Sequence, residues 1–179
     1  MNNAPTEQGF YVRDTQGWER AVSVPCDHLV AHSDDVILRR DFCYVDTRGG
    51  CHVAPLGFPF DGLSIPRLFW RLAGHPFGRN LPAGVIHDVL CAQANALPVG
   101  PERQRIRAIG DDIFAEMLEY LGNPSSVVWT WHKCVRIGSL SSRNRAPAPN
   151  PVTDMEGYYS HMGLSDVWPW VQDRILRHS

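Results

Sequence analysis

Between Leu81 and Ala94 the chain carries only three polar side chains, His87, Asp88 and Gln93. A helix apolar almost all round is stable only when covered on both sides. The segment therefore predicts a central helix with other elements packed around it. Placing His and Asp side by side there demands partners, because an unpaired buried charge costs several kcal/mol. One stretch thus constrains both the fold and the place where chemistry could occur.

The flanking sequence divides by period. Residues 1–60 read as short strands, with alternation over 35–45, a turn at Arg48-Gly49-Gly50 and a second strand from His52 to Leu56. Pro55 and Pro59 confine that second strand to an edge or an early end. After residue 64 the period is helical. Ser64 caps a helix ending at Gly74, and a second runs from about Asn80, with Pro82 in its first turn, to Asn95. A third covers Gln104–Leu121 and stops at Gly122; a fourth starts at Asn123-Pro124-Ser125 and fades after Gly138. Strands first and helices afterwards predict an α+β fold: N-terminal antiparallel strands, then a bundle of about four helices.

The 179 residues, 44% hydrophobic and 20% charged, suit one domain with a modest extra segment. That domain is expected over 1–142, followed by a proline-rich spacer at 143–151. A C-terminal aromatic segment at 152–179 then forms a helix over 164–177, with Trp168, Trp170, Val171 and Ile175 to bury. No window reaches the ~18 uncharged apolar residues of a membrane span. The N-terminus shows no basic region followed by an apolar one, so no signal peptide is expected. A net charge of −2 argues against general nucleic-acid binding. The expected location is the cytoplasm.

Five cysteines, Cys26, Cys43, Cys51, Cys91 and Cys134, include no CxxC pair, which argues against a zinc ribbon or a full disulfide framework. They read as reduced, although Cys43 and Cys51 could face each other across the hairpin. Of the 17 basic residues only Lys133 is lysine. The arginine excess is either compositional or a mark of anion-binding positions. Arg103, Arg105 and Arg107 read as a solvated face, and of Trp129 and Trp131 one is core and the other surface.

Two places could carry chemistry. On the third helix, Asp111 falls at the border of the apolar face centred on Ile106, whereas Asp112 points away. His87, Asp88 and Asp111 could then converge between helices. Three readings stand: a structural hydrogen-bond hub, a metal-free catalytic pair, or a divalent metal site on these three residues. The adjacent His-Asp is similar to that of the HD-type metal phosphohydrolases, but only His75 and Asp111 are available as further partners. The second place is the junction 58–67. Asp61-Gly62 makes a tight turn, Ser64 caps a helix whose N–H groups could hold an anion, and Arg67 lies close by. It is either a well-built strand-to-helix corner or an anion pocket. Ser64 as a nucleophile is the weaker option, since no G-x-S-x-G elbow is present.

The blocks D-G-L-S-I-P-R-L-F-W at 61–70, A-G-V-I-H-D-V-L at 83–90, D-D-I-F-A-E-M-L at 111–118 and V-R-I-G at 135–138 occur in this order. Together they resemble domain of unknown function 1353, over about residues 34–140. Asp61, Ser64, Pro66, Arg67, His87, Asp88 and Asp111 match the pattern. Phe60 stands where Thr is usual, Cys91 and His132 where Tyr is usual. The resemblance implies a bacteriophage or prophage origin, hence a place in the host cytoplasm or the virion, and a compact α+β domain, and brings no assigned activity.

Two functions follow as expectations. One is a hydrolase acting on an anionic substrate, with a divalent metal ion as its candidate cofactor. In it His87 is a ligand or general base, Asp88 and Asp111 hold metal or orient the imidazole, Ser64 stands by, and Asp61 and Arg67 contact the substrate. The other is a non-enzymatic assembly, virion or host-modulating protein, with the His/Asp set as a packing hub and the tryptophan-rich tail meeting a protein partner.

Overall fold

A computed structural model describes residues 4–28, 36–60, 78–141 and 144–178. The architecture is α+β: antiparallel strands at the N-terminal end, then helices. Strands β1 (Gly9–Asp14), β2 (Gly17–Arg20), β5 (Phe42–Val45) and β6 (Cys51–Ala54) form a sheet in the order β2-β1-β5-β6. Strands β3 (Cys26–His28), β4 (Val36–Leu38) and β7 (Pro59–Phe60) form a second, in the order β3-β4-β7. All strand pairings among the described residues are antiparallel. As the prolines require, β6 is an edge strand and stops at Ala54.

The strand expected over 35–45 is split. Val36–Leu38 joins one sheet and Phe42–Val45 the other, with Arg39-Arg40-Asp41 at the break. Alternation survives within each piece, but both faces are buried. Val36, Leu38, Phe42 and Tyr44 enter the main core. Ile37 joins a second cluster with Tyr159, Leu164, Val167 and Val171. Cys43 and Val45 join a third with Tyr11. Each such side chain contributes roughly 1.5–3 kcal/mol by leaving water. Two sheets sharing one core need a polar crossing, and the charged Arg39-Arg40-Asp41 supplies it.

Five helices follow among the described residues: α1 (Leu81–Asn95), α2 (Pro101–Tyr120), α3 (Ser125–Ser141), α4 (Met155–His161) and α5 (Trp168–His178). The helix expected from Ser64 to Gly74 lies outside the described residues. Helix α1 has Pro82 in its first turn and buries Leu81, Val85, Ile86 and Val89 against both sheets and helices. Helix α2 begins three residues before the expected Gln104, because Pro101 itself opens it. It ends as the sequence predicts: Gly122 takes φ +72°, Asn123 N–H donates to Leu118 O at 3.1 Å and Gly122 N–H to Glu119 O at 2.8 Å. Helix α3 runs past Gly138 to Ser141. Short α4, not foreseen, is capped by Asp154, whose carboxylate accepts Gly157 N–H at 2.9 Å.

Three expectations about side chains are corrected or sharpened. Only Arg105 of the arginine cluster is solvated. Arg103 is 1% exposed and donates to the carbonyls of Ala94, Asn95 and Arg145, closing the C-terminal end of α1. Arg107 is also buried and donates to Asn95 Oδ1 at 2.9 Å. All five cysteines are free thiols; Cys43 stands opposite Val53 and Cys51 opposite Val45, so the two are diagonal neighbours across the hairpin and their thiols interact without a disulfide. Trp131 is core and Trp129 is surface. No helix among the described residues is long and apolar enough to cross a membrane.

The C-terminal segment lies against the body. Tyr158 stacks on Phe58 with ring centroids 5.9 Å apart, and the buried Tyr159 hydroxyl donates to Gly57 O at 2.6 Å.

Candidate functional site

The site forms where α1, α2 and α3 meet. Gly110 on α2 allows the approach of α1: a Cβ there would stand 3.3 Å from Leu90 Cβ. One residue further, Asp111 turns inward and is fully buried. Its Oδ1 accepts from His87 Nε2 at 2.9 Å. The His87 ring is fixed against Phe114, centroid to centroid 4.8 Å.

Helix α1 supplies a third group. Cys91, one turn after His87, places Sγ 3.5 Å from His87 Nε2 and 3.9 Å from Nδ1. Among the described residues, ligand atoms of His87, Cys91 and Asp111 all lie within 4.8 Å of one another. Helix α3 completes the surroundings. Ser139 Oγ lies 2.9 Å from Asp111 Oδ2 and 3.1 Å from Oδ1, so its single proton serves one oxygen at a time. Arg136 Nε stands 4.0 Å from Asp111 Oδ2, and its Nη2 donates to the outward-facing Asp112 at 2.9 Å. His132 Nε2 lies 3.0 Å from the same Asp112 oxygen.

Burial opposes protonation of His87. The Cys91 sulfur and the Asp111 carboxylate, with a contribution from Asp88, outweigh it and push the imidazole up to about 10. A metal ion entering the site would take the place of that proton.

The ligand arrangement discriminates between chemistries. In a Cys–His–Asp relay the thiol and the carboxylate occupy opposite ring nitrogens. Here both approach Nε2 most closely. Around a tetrahedral metal with metal–nitrogen and metal–sulfur distances of about 2.0 and 2.3 Å, neighbouring ligand atoms lie about 3.3–3.7 Å apart. The Sγ to Nε2 separation of 3.5 Å fits that edge, and the 2.9 Å hydrogen bond would open by a few tenths of an ångström. Ser139 would hold the carboxylate from outside, as second hydrogen-bond partners do for metal ligands.

Of the residues singled out in the sequence, His87 and Asp111 meet. Asp88 is half-buried beside His87 and acts on it through its charge, but the converging ligand atoms come from Cys91 instead. Asp61, Ser64 and Arg67, with His75, lie outside the described residues. Cys91, Arg136 and Ser139 are the additions. The signal for Cys91 was its i+4 spacing from His87; for Ser139, it was its place on the inward stripe of Trp131 and Val135.

These features define an α+β domain with a His/Cys/Asp cluster enclosed by three helices. The chain belongs to the family described as Protein of unknown function (DUF1353), whose model matches residues 36–135. Over 55 residues it is 46% identical to the uncharacterized protein y4jT of Sinorhizobium fredii, a segment covering 30% of this chain. That segment is 16% of the relative's own length. No solved structure matches the chain.

Proposed function

We propose that His87, Cys91 and Asp111 hold a divalent transition metal and that the domain is a metal-dependent hydrolase of an anionic substrate. The observation that carries this reading is the convergence of imidazole nitrogen, thiol sulfur and carboxylate oxygen within 4.8 Å. Three protein ligands leave a fourth position for water, whose pKa a zinc ion lowers to about 7. A thiolate and a carboxylate balance the charge of a divalent ion, and Arg136 stands beside the carboxylate for an anionic group. A bacteriophage or prophage setting is supported by the family resemblance alone.

The test is turnover of p-nitrophenyl phosphate and bis(p-nitrophenyl) phosphate by zinc- or manganese-loaded protein. Metal-dependent hydrolysis lost in Cys91→Ala is expected. Absence of turnover in loaded, folded protein would contradict the hydrolase.

One observation favours a second reading: the Asp111 carboxylate already receives His87 and Ser139. In that reading the set is a structural hub and the domain a binding or assembly protein that meets a protein partner through its tryptophan-bearing C-terminal segment.

A further inference from the structure

A cleft of about 560 Å³ opens on the side of the molecule where the two sheets adjoin. Its walls include Arg20, Arg39 and Arg40, and its apolar surface includes Val24 and Cys26. Among the described residues Glu19 is the one carboxylate lining it. The volume lies in the range of small-molecule sites, about 300–1,000 Å³.

The three guanidiniums are not equivalent. Arg20 is committed: it donates to Gln8 O at 2.9 Å, Tyr120 Oη at 3.0 Å and Glu7 Oε2 at 2.9 Å, and its guanidinium lies 5.0 Å from the Tyr11 ring centroid. Arg39 and Arg40 are not. Each is half exposed, and each has a carboxylate only at ion-pair range, Asp27 at 3.4 Å and Glu19 at 3.7 Å. Among the described residues neither guanidinium makes a hydrogen bond. Both line the cleft, and guanidinium donors suit a planar or tetrahedral anion.

The fold explains why they stand there. Leu38 pairs with Cys26 at one end of the smaller sheet, while Val36 pairs with Phe60 at the other. Arg39 and Arg40 leave β4 at the Cys26 end, and Arg39 N–H bonds Pro25 O at 2.8 Å. The break between β4 and β5 thus sets two consecutive arginines on the rim. Burial pushes the Cys26 thiol up, so it remains a neutral apolar surface.

We propose that this cleft binds a small organic anion, its phosphate or carboxylate group on Arg39 and Arg40 and its apolar part on Val24 and Cys26. The proposal is independent of the metal site. Phenyl phosphate titrated into the full-length protein, followed by two-dimensional amide NMR, tests it. Saturable shifts at Val24, Cys26, Arg39 and Arg40 are expected, with affinity at least about tenfold weaker in Arg39→Gln/Arg40→Gln. Glu19→Gln, which removes the opposing charge, is expected to tighten binding. If the double variant does not fold by circular dichroism, Arg40→Gln alone is read in the same way. The proposal is overturned by an absence of saturable shifts up to about 10 mM, by an unchanged affinity in the folded arginine variant, or by equally tight binding of inorganic phosphate.

Discussion

His87 on α1 and Asp111 on α2 are joined Nε2 to Oδ1 at 2.9 Å, with the carboxylate wholly buried and the imidazole 13% exposed. This contact ties together two of the three helices that enclose the candidate site. It also makes the site's ligands part of the protein's own packing.

Removing one side of that pair should be costly in metal-free protein. Asp111→Asn removes the carboxylate from a buried pair, and breaking such a pair costs about 3–5 kcal/mol. Ser139→Ala removes one hydrogen bond to the same carboxylate and should cost about 1–2 kcal/mol. Urea unfolding of the chelator-treated variants measures both. A loss for Asp111→Asn no larger than that for Ser139→Ala would contradict the assigned geometry.

Acid stability should depend on Asp46. Burial works against its ionisation, but His52 and the backbone N–H groups of Gly50 and Arg48 outweigh burial and hold it below its ordinary value of 3.8. A carboxylate with a depressed folded pKa adds stability above the unfolded pKa and loses it as pH falls through the folded one. Wild type should therefore lose more stability than Asp46→Asn between about pH 5 and pH 2.5. Denaturant midpoints across that window give the answer. Parallel curves would show that the turn contributes nothing to acid sensitivity.

The tail supplies a third prediction. Ending the chain at residue 142 would uncover Ile37 and Phe58, both 1% exposed, and remove the Arg145 carbonyl that accepts from Arg103. The truncated protein is expected to melt lower and to aggregate, and Tyr159→Phe in the full chain to lose about 1 kcal/mol. Thermal melting with light scattering distinguishes this from a segment that ends outside the folded unit, for which truncation leaves the transition unchanged.

Much of this was legible in local chemistry. Asn80 with Pro82 and Gly122 with Asn123 mark helix ends through groups only a few residues apart, so the limits of α1 and the end of α2 could be read directly. The inward turn of Asp111 followed from the angle between successive residues on one helix. What was not legible depended on partners distant in the chain. Alternation over 36–45 cannot tell which sheet each half joins, and so the break at Arg39-Arg40-Asp41 was missed. Arg103 and Arg107 look solvated until the end of α1 is placed over them. Ser139 became a site residue only when α3 was set against α2. Cys91 was the exception: its spacing from His87 was local, but it stood out only as a departure from the usual tyrosine.

The most direct measurement is the metal content of purified full-length protein after zinc loading and dialysis. About one ion per chain is predicted for wild type, falling to a small fraction in Cys91→Ala that keeps its circular dichroism spectrum. Metal-free wild type, or an undiminished content in the folded variant, would contradict a site built from His87, Cys91 and Asp111.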